Sequence, residues 1–211
     1  HLPYDRPPLS KAYLTDGALP DHLTDEDALR DVLGVELLLS TTATSLDGDA
    51  HVVHTTAGPV GYDALLLACG ATARTLPGLP DLEGIVTLRT LDHAEYIKQQ
   101  MRPGAHVVVL GAGFIGSEIA SSASKIGATV TIVEAAPVPL VRAVGSVVGS
   151  ALAELHTENG TRLLLETQIV SYHGERRVES VTLSNGETIP ADVVVVGIGA
   201  APETGWLVES G

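Results

Sequence analysis

Apolar and polar positions along this chain fall into short blocks, and the period within each block predicts its element. Ala43 to Leu46 and His51 to Thr56 alternate branched and polar side chains and read as strands, and Glu36 to Leu39 reads as another. Two runs are continuously apolar, Ala64 to Ala68 and Val193 to Val196, the pattern of strands buried on both faces of a parallel sheet. His106 to Leu110 and Thr129 to Val133 are further strands, and Phe114 to Ile126 between them has helical spacing. Leu91 to Met101 predicts a helix stopped by Arg102-Pro103-Gly104, and Val147 to Glu158 another with Asn159-Gly160 as its left-handed cap. Arg162 to Leu165, Gln168 to His173 and Arg177 to Leu183 complete the strands, with Asn185-Gly186 as a hairpin turn. The first twenty residues are proline-rich and irregular apart from a turn of helix near Lys11 to Leu14, and Asp25 to Leu33 reads as a short acidic helix. Strands alternating with helices make this an α/β chain.

A faint repeat runs through this pattern. Gly58 to Asp63 leads into the apolar run ending at Ala68 and then Cys69-Gly70-Ala71, while Gly186 to Asp192 leads into Val193 to Val196 and then Gly197-Ile198-Gly199-Ala200. Each unit is a turn, a strand, an acid, a buried strand and a glycine loop at its carboxyl end. Ligands of open α/β sheets sit at such carboxyl ends, so two units imply two nucleotide sites.

The sharpest motif is Val107-Val-Val-Leu-Gly111-Ala-Gly113-Phe-Ile115-Gly116, a strand, a GxGxxG and a helix in the order that dinucleotide binding requires. Gly111 serves the tight turn, Gly113 the approach of backbone to a pyrophosphate, and Gly116 the packing of helix on strand. The next strand ends in Glu134, where a carboxylate accepts ribose hydroxyls and repels a 2′-phosphate, and Ala135-Ala136 offer no arginine to greet one. NADH is therefore expected over NADPH. Arg142 lies just beyond and either reaches a cofactor phosphate or is a solvated surface arginine. Glu118, in the first turns of the helix, either favours the helix dipole or faces a cation or the nicotinamide.

Composition narrows the function. Twenty-six acids against 12 bases give a net charge of −14, and aromatics are 3%, which argues against nucleic acid, single-strand stacking platforms and anionic membranes. The longest uncharged stretch, Pro103 to Ser117, is too short and glycine-broken to span a bilayer, and no signal-peptide pattern is visible. The sole cysteine, Cys69, excludes an internal disulfide and a CxxC motif and points to a reducing, cytoplasmic setting. His51 and His54 fall on opposite faces of a strand and His156 on a helix, so no metal site is expected. Asp21 to Asp31 reads as a solvated acidic face. The opening at His1 and the close at Trp206 to Gly211, which reads as a helix cut short, lead us to expect a fragment of a longer protein.

The segment Tyr4-Asp-Arg6-Pro-Pro-Leu-Ser-Lys11 resembles the signature of FAD-dependent NADH:ferredoxin reductases, the two-dinucleotide-domain flavoproteins that serve Rieske oxygenases and cytochromes P450. The likeness continues through Ala68-Cys-Gly70-Ala-Thr-Ala-Arg74, Leu88-Arg89-Thr-Leu-Asp92, Gly111 to Glu118, and Gly197-Ile-Gly199-Ala-Ala-Pro-Glu203, over essentially the whole chain. It implies a Rossmann-like NAD domain over 73–196 inserted in a truncated FAD domain over 1–72, with the chain returning to the FAD domain over 197–211. It implies FAD contacts at Arg6, Lys11, Ala68, Gly70 and Arg89, and NADH contacts at Gly111, Gly113, Ile115, Gly116, Glu134, Arg142 and Gly199. Lys11 and Glu118 fall where such enzymes pair a lysine with a glutamate beside flavin and nicotinamide, and are the catalytic candidates.

Cys69 stands where the family usually has threonine and is read as packing. Disulfide reductases of the superfamily carry a CxxxxC near where Arg6 to Lys11 lies, and peroxidase-type relatives a single cysteine; Lys11 with no cysteine implies electrons leaving the flavin directly. The resemblance therefore implies an NADH-dependent flavoprotein that passes single electrons to a [2Fe–2S] ferredoxin. Alternatives are another acceptor (rubredoxin, monodehydroascorbate, or nitrite through a fused haem module) or an NAD-responsive interaction protein similar to apoptosis-inducing factor. The family's first GxGxxG, its last FAD segment and its interface domain are expected outside these 211 residues. The NAD half reads as self-contained and the FAD half as unstable by itself.

Overall fold

The computed structural model describes residues 2–208 and residue 210. In chain order, a 3₁₀ turn at Pro7–Ser10 leads to α1 (Ala12–Asp16), followed by β1 (Ala43–Asp47), β2 (Val52–Thr55), β3 (Gly58–Gly61) and β4 (Ala71–Ala73). Then come β5 (Ile85–Thr87), α2 (Leu91–Gln100), β6 (His106–Leu110), α3 (Phe114–Ile126), β7 (Thr129–Val133) and α4 (Val141–Glu158). The chain continues with β8 (Arg162–Leu164), β9 (Ile169–His173), β10 (Ser180–Leu183), β11 (Thr188–Pro190), β12 (Val193–Val196) and β13 (Ala200–Pro202). Packing divides it into a larger unit, Arg6–Pro20 with Ala73–Gly199, and a smaller one, His1–Asp5, Asp21–Thr72 and Ala200–Gly211.

The larger unit is built on a parallel sheet of order β5-β12-β6-β7-β8. Its central strands pair in register, Val193 with Val107 and Val107 with Val130. Because side chains alternate, β6 feeds two cores at once. Val108 and Leu110 join Val133, Val194 and Val196 on one face, packed on Val181, Leu183 and Ile189 of the antiparallel sheet β9-β10-β11. Val107 and Val109 are buried on the other face, the side of α2 and α3, whose Ile97, Ile119, Ala120 and Ala123 are also buried. Asp192 locks the start of this arrangement. Its carboxylate accepts the His106 N–H at 2.8 Å and an Arg102 N–H at 3.3 Å, joining the beginnings of β6 and β12.

The smaller unit holds the antiparallel meander β1-β2-β3, and β4, whose first two residues belong to it, pairs with β13. His51 stacks on Tyr62, ring centroids 5.2 Å apart. Among the described residues, every fully buried apolar side chain lies in the larger unit. The hydrophobic stabilisation of a fold scales with the apolar area removed from water, so that unit carries nearly all of it.

Several expected elements differ. Ala64 to Ala68 is not a strand, and Leu66 is 89% exposed. A strand exists only as one member of a ladder, and among the described residues none pairs with this run. Glu36 to Leu39 is irregular for the same reason. The acidic segment widens at Ala28–Val32 into a π-type turn, in which the Leu33 N–H reaches the Ala28 carbonyl at 3.1 Å. The last helix begins at Val141 rather than Val147, because Ala143 and Val144 donate to the Leu140 carbonyl; the chain then leaves helical geometry at Gly145 before resuming. Near the end only the turn Gly205–Leu207 is formed, and Glu209 and Gly211 of the expected trailing helix lie outside the described residues. Residues 6–20, expected with the FAD portion at 1–72, pack with 73–199.

On α4, His156 meets the Ser117 hydroxyl of α3 at 3.1 Å, and burial holds its imidazole below the ordinary histidine range. The fold thus favours neutral His156, whereas the unfolded chain takes up a proton near pH ~6.5. The stability this group contributes is present above that value and is lost as pH falls through the depressed folded one. Replacing His156 by Gln is expected to flatten the fall in stability between about pH 7 and pH 5, read from urea midpoints at each pH.

Candidate functional site

The site forms where β6 ends, at the point where the sheet order reverses, since β7 and β12 flank β6 on either side. The Gly111 N–H donates to the Val133 carbonyl and the Gly197 N–H to that of Leu110, each at 2.8 Å, so three chain segments meet through backbone alone. Gly111 turns with φ +101°, and a Cβ on it would stand 2.7 Å from the Gly197 oxygen. A Cβ on Gly116 would stand 2.0 Å from the Gly111 oxygen, far inside van der Waals contact. Gly113, the N-cap of α3, is different: a Cβ there meets no protein atom nearer than 3.7 Å. Protein packing does not require glycine at that position, but a pyrophosphate laid against the first turn of α3 would. That turn presents N–H groups with no intrahelical acceptor, the right chemistry for an anion. Ile115 in the same turn is 42% exposed.

Glu134 follows β7. Its two carboxylate oxygens accept the N–H groups of Ala112 at 2.6 Å and Ala136 at 2.8 Å. The Ala112 carbonyl in turn accepts the Leu140 N–H at 3.1 Å, so the middle residue of the glycine loop is pinned on both sides. Sequence reasoning assigned Glu134 to ribose and missed this clasp, along with Ala112 and Gly197, because the partners are main-chain groups that any residue carries. Each carboxylate oxygen accepts more than one hydrogen bond, so the clasp leaves capacity for hydroxyls. Arg142 is exposed in the first turn of α4. Gly199 turns with φ +107° after β12 and accepts the Arg74 N–H at 2.9 Å. Arg89 is half-buried between β5 and α2.

A second cluster forms on the other end of the candidate set. Lys11 Nζ lies 2.8 Å from Glu118 Oε2 and 3.2 Å from the Pro7 carbonyl. Glu118 sits five residues past Gly113 on α3, about 7 Å along the helix axis. The open question of what that acid faces is answered by a cation and by a hydroxyl, for Ser10 Oγ donates to the same Oε2 at 2.5 Å. The Ser10 carbonyl accepts from Ser122 Oγ at 2.7 Å. One turn on, the buried Tyr13 hydroxyl donates to the Glu95 carboxylate of α2; that bond pushes its pKa up to about 12 and holds the Glu95 carboxyl below the usual range. Lys98 rests over the same ring. The adjacent Ser in the PPLSK segment was the available signal for Ser10; nothing in the sequence signalled the Tyr13–Glu95 bond, whose partners are 82 residues apart.

Arg6 precedes the first turn and is exposed. Ala68, exposed, and Gly70, φ +72°, belong to the smaller unit. The larger unit therefore gathers the glycine loop, Glu134, Arg142, Gly199, Arg89, Arg6, Lys11 and Glu118, and Ala68 and Gly70 lie outside it. Among the described residues no group of three or more His, Cys, Asp or Glu side chains is placed to hold a metal, and no helix is long and apolar enough to cross a membrane.

Residues 1–211 match the family model described as pyridine nucleotide-disulphide oxidoreductase. The chain is 37% identical over 207 residues to the benzene 1,2-dioxygenase system ferredoxin–NAD(+) reductase subunit of Pseudomonas putida, covering 96% of this chain and 50% of that protein. It is 36% identical over 209 residues to the rubredoxin–NAD(+) reductase of Pseudomonas putida, covering 95% and 53%. Among solved structures, the reductase in the covalent putidaredoxin reductase–putidaredoxin complex superposes with a TM-score of 0.92 at 33% identity, over 97% of this chain and 51% of that one. The chain spans about half the length of the curated relatives it matches. It belongs to the pyridine nucleotide-disulphide oxidoreductase family, with the α/β fold of its two-domain reductases.

The Gly116→Ala variant forces α3 away from the Gly111 carbonyl. It is expected to lose about 1–3 kcal/mol of stability by overpacking, measured as a lowered urea midpoint against wild type.

Proposed function

We propose that this member of the family is the NADH-binding part, with a portion of the flavin site, of an FAD-dependent NADH:ferredoxin reductase that serves an oxygenase or P450. The observation that carries the reading is the Lys11–Glu118 ion pair, whose acid stands on α3, the helix that follows directly on the glycine loop. Side-chain exposures of 50% and 29% make this pair a poor source of stability, since exposed ion pairs contribute little. Its value lies in chemistry. Lys11 compensates the charge of an acid that would otherwise stand unneutralised near a bound pyrophosphate.

Residues of the larger unit suit the nicotinamide dinucleotide. A glycine at 113 that protein packing does not require and the first-turn N–H groups suit a dinucleotide pyrophosphate, with Arg142 and Gly199 on segments that adjoin the same loops, and Glu134 suits unphosphorylated ribose, hence NADH. Arg6, Lys11, Ala68, Gly70 and Arg89 are assigned to FAD. Bound NADH and FAD supply the hydride chemistry and the release of single electrons. The protein's own part is orientation: α3 fixes the pyrophosphate, Glu134 fixes the adenosine end, and Glu118 with Lys11 holds a charge-balanced wall for the nicotinamide.

We assign the electron acceptor to a [2Fe–2S] ferredoxin. The relatives named for dioxygenase and putidaredoxin systems support this, and the rubredoxin-reducing relative supports another iron–sulfur or iron protein as the second reading. The free, half-buried Cys69 and the absence of any other thiol fit direct electron exit from flavin and a cytoplasmic setting. A net charge of −14 fits neither nucleic acid nor anionic membrane as partner.

The test uses the full-length gene product and follows NADH-driven cytochrome c reduction with and without a [2Fe–2S] ferredoxin. A large ferredoxin-dependent rate is expected; flavin bleaching by NADH with no such dependence moves the function to another acceptor. Flavin reduction unchanged in both Lys11→Ala and Glu118→Ala would overturn the assigned pair. Glu134→Ala is expected to weaken NADH at least tenfold while improving NADPH relative to NADH, read from dissociation constants of the two nucleotides.

A further inference from the structure

We propose that Ser10 is a positioning residue that sets where the Glu118 carboxylate stands during hydride transfer. This rests on the functional reading above and assigns a role to the one residue of the Ser10-Lys11 pair that the reading leaves without one. Ser10 is 2% exposed, at the end of the 3₁₀ turn Pro7–Ser10. Its hydroxyl and the Lys11 ammonium converge on one oxygen of Glu118, at 2.5 and 2.8 Å. The two donors differ in kind. A lysine ammonium is a mobile point charge on a four-carbon stem and here is half exposed, so it holds charge without holding direction. A buried serine hydroxyl has one short rotor, and its bond fixes the acceptor in angle as well as distance.

The backbone of Ser10 is itself held. Its carbonyl accepts from Ser122 Oγ at 2.7 Å, four residues beyond Glu118 and therefore on the same face of α3. Ser10 is thus tied to α3 at two points, one through its hydroxyl to the reacting region and one through its main chain to the helix body. Lysine supplies the charge and serine supplies the aim. Small errors in aim are costly, because a misplacement of about 1 Å in a reacting geometry can slow a step by about a hundredfold.

The experiment separates the two ties in the full-length flavoprotein. Ser10→Ala is expected to slow bleaching of the flavin at saturating NADH by about tenfold while leaving the NAD⁺ dissociation constant within about twofold of wild type. Ser10→Thr, which returns a hydroxyl, restores most of the rate. Ser122→Ala, which loosens the main chain of Ser10 but keeps its hydroxyl, slows bleaching by less than Ser10→Ala does. In a Glu118→Gln background, adding Ser10→Ala slows bleaching no further. Independently of activity, the thermal midpoints of wild type, Ser10→Ala, Glu118→Gln and the double variant show losses that do not add, as expected for two groups sharing one bond. Three results overturn the proposal: wild-type bleaching in Ser10→Ala, equal slowing in Ser122→Ala, or losses from Ser10→Ala and Glu118→Gln that multiply in rate and add in midpoint. A wild-type protein that NADH does not bleach overturns the functional reading and this proposal together, and is distinguishable because the other results all presuppose normal wild-type bleaching.

Discussion

Everything in the larger unit depends on the contact of bare backbone at Gly111, Gly116 and Gly197. A single methyl at Gly116 would lie 2.0 Å from the Gly111 oxygen, and one at Gly111 would lie 2.7 Å from the Gly197 oxygen. Helix α3 therefore reaches β6 only because side chains are missing there. That closeness aims the first turn of α3 at the end of the sheet and brings Ile119, Ala120 and Ala123 down onto Val107 and Val109. The same constraint stabilises the core and shapes the loop proposed to cradle the nucleotide. Packing density near that of organic crystals leaves no slack for one to shift without the other.

Rigidity at the loop is completed by polar bonds. Glu134 accepts the N–H of Ala112 and Leu140 donates to the carbonyl of the same residue, so Ala112 is held on both sides. A preorganised loop loses little freedom when a ligand arrives, which is the physical source of affinity in such sites. Glu134 is therefore read in two capacities, as a clasp of the glycine loop and as a candidate acceptor for ribose hydroxyls.

The segment 7–16 is the second point of organisation. Two prolines at its start and Gly17 at its end confine it to two short turns. Neither turn is long enough to be stable alone. They persist because Leu9, Tyr13 and Leu14 are buried and because Ser10 and Tyr13 reach α3 and α2 through hydrogen bonds. A segment whose motif resembles a flavin contact is in this way carried by the unit that holds the NADH motif. The two members of the proposed ion pair, Lys11 and Glu118, stand in one packed body as a consequence.

The sequence by itself determined β6, β7, β8 and β12 of the central sheet, the helices α2 and α3 and the glycine loop, whereas the edge strand β5 and the start of α4 emerged only in the fold. Val193 to Val196, His106 to Leu110 and the GxGxxG are local patterns in which period, turn and cap agree, and each is decided within about ten residues. The resemblance of the Tyr4 to Lys11 segment to a family signature added Lys11 as the partner candidate of Glu118. Tertiary structure alone decided whether Ala64 to Ala68 became a strand, since apolar character is local but a ladder needs a neighbour, and among the described residues that run has none. It alone showed Ala112, Gly197 and Ser10, because their roles are exercised through main-chain groups or a single hydroxyl, which every sequence contains in abundance. And it alone joined residues 108 positions apart, Ser10 and Glu118, since a hydrogen bond is a relation between two places in space and leaves no mark on either residue's own stretch of chain.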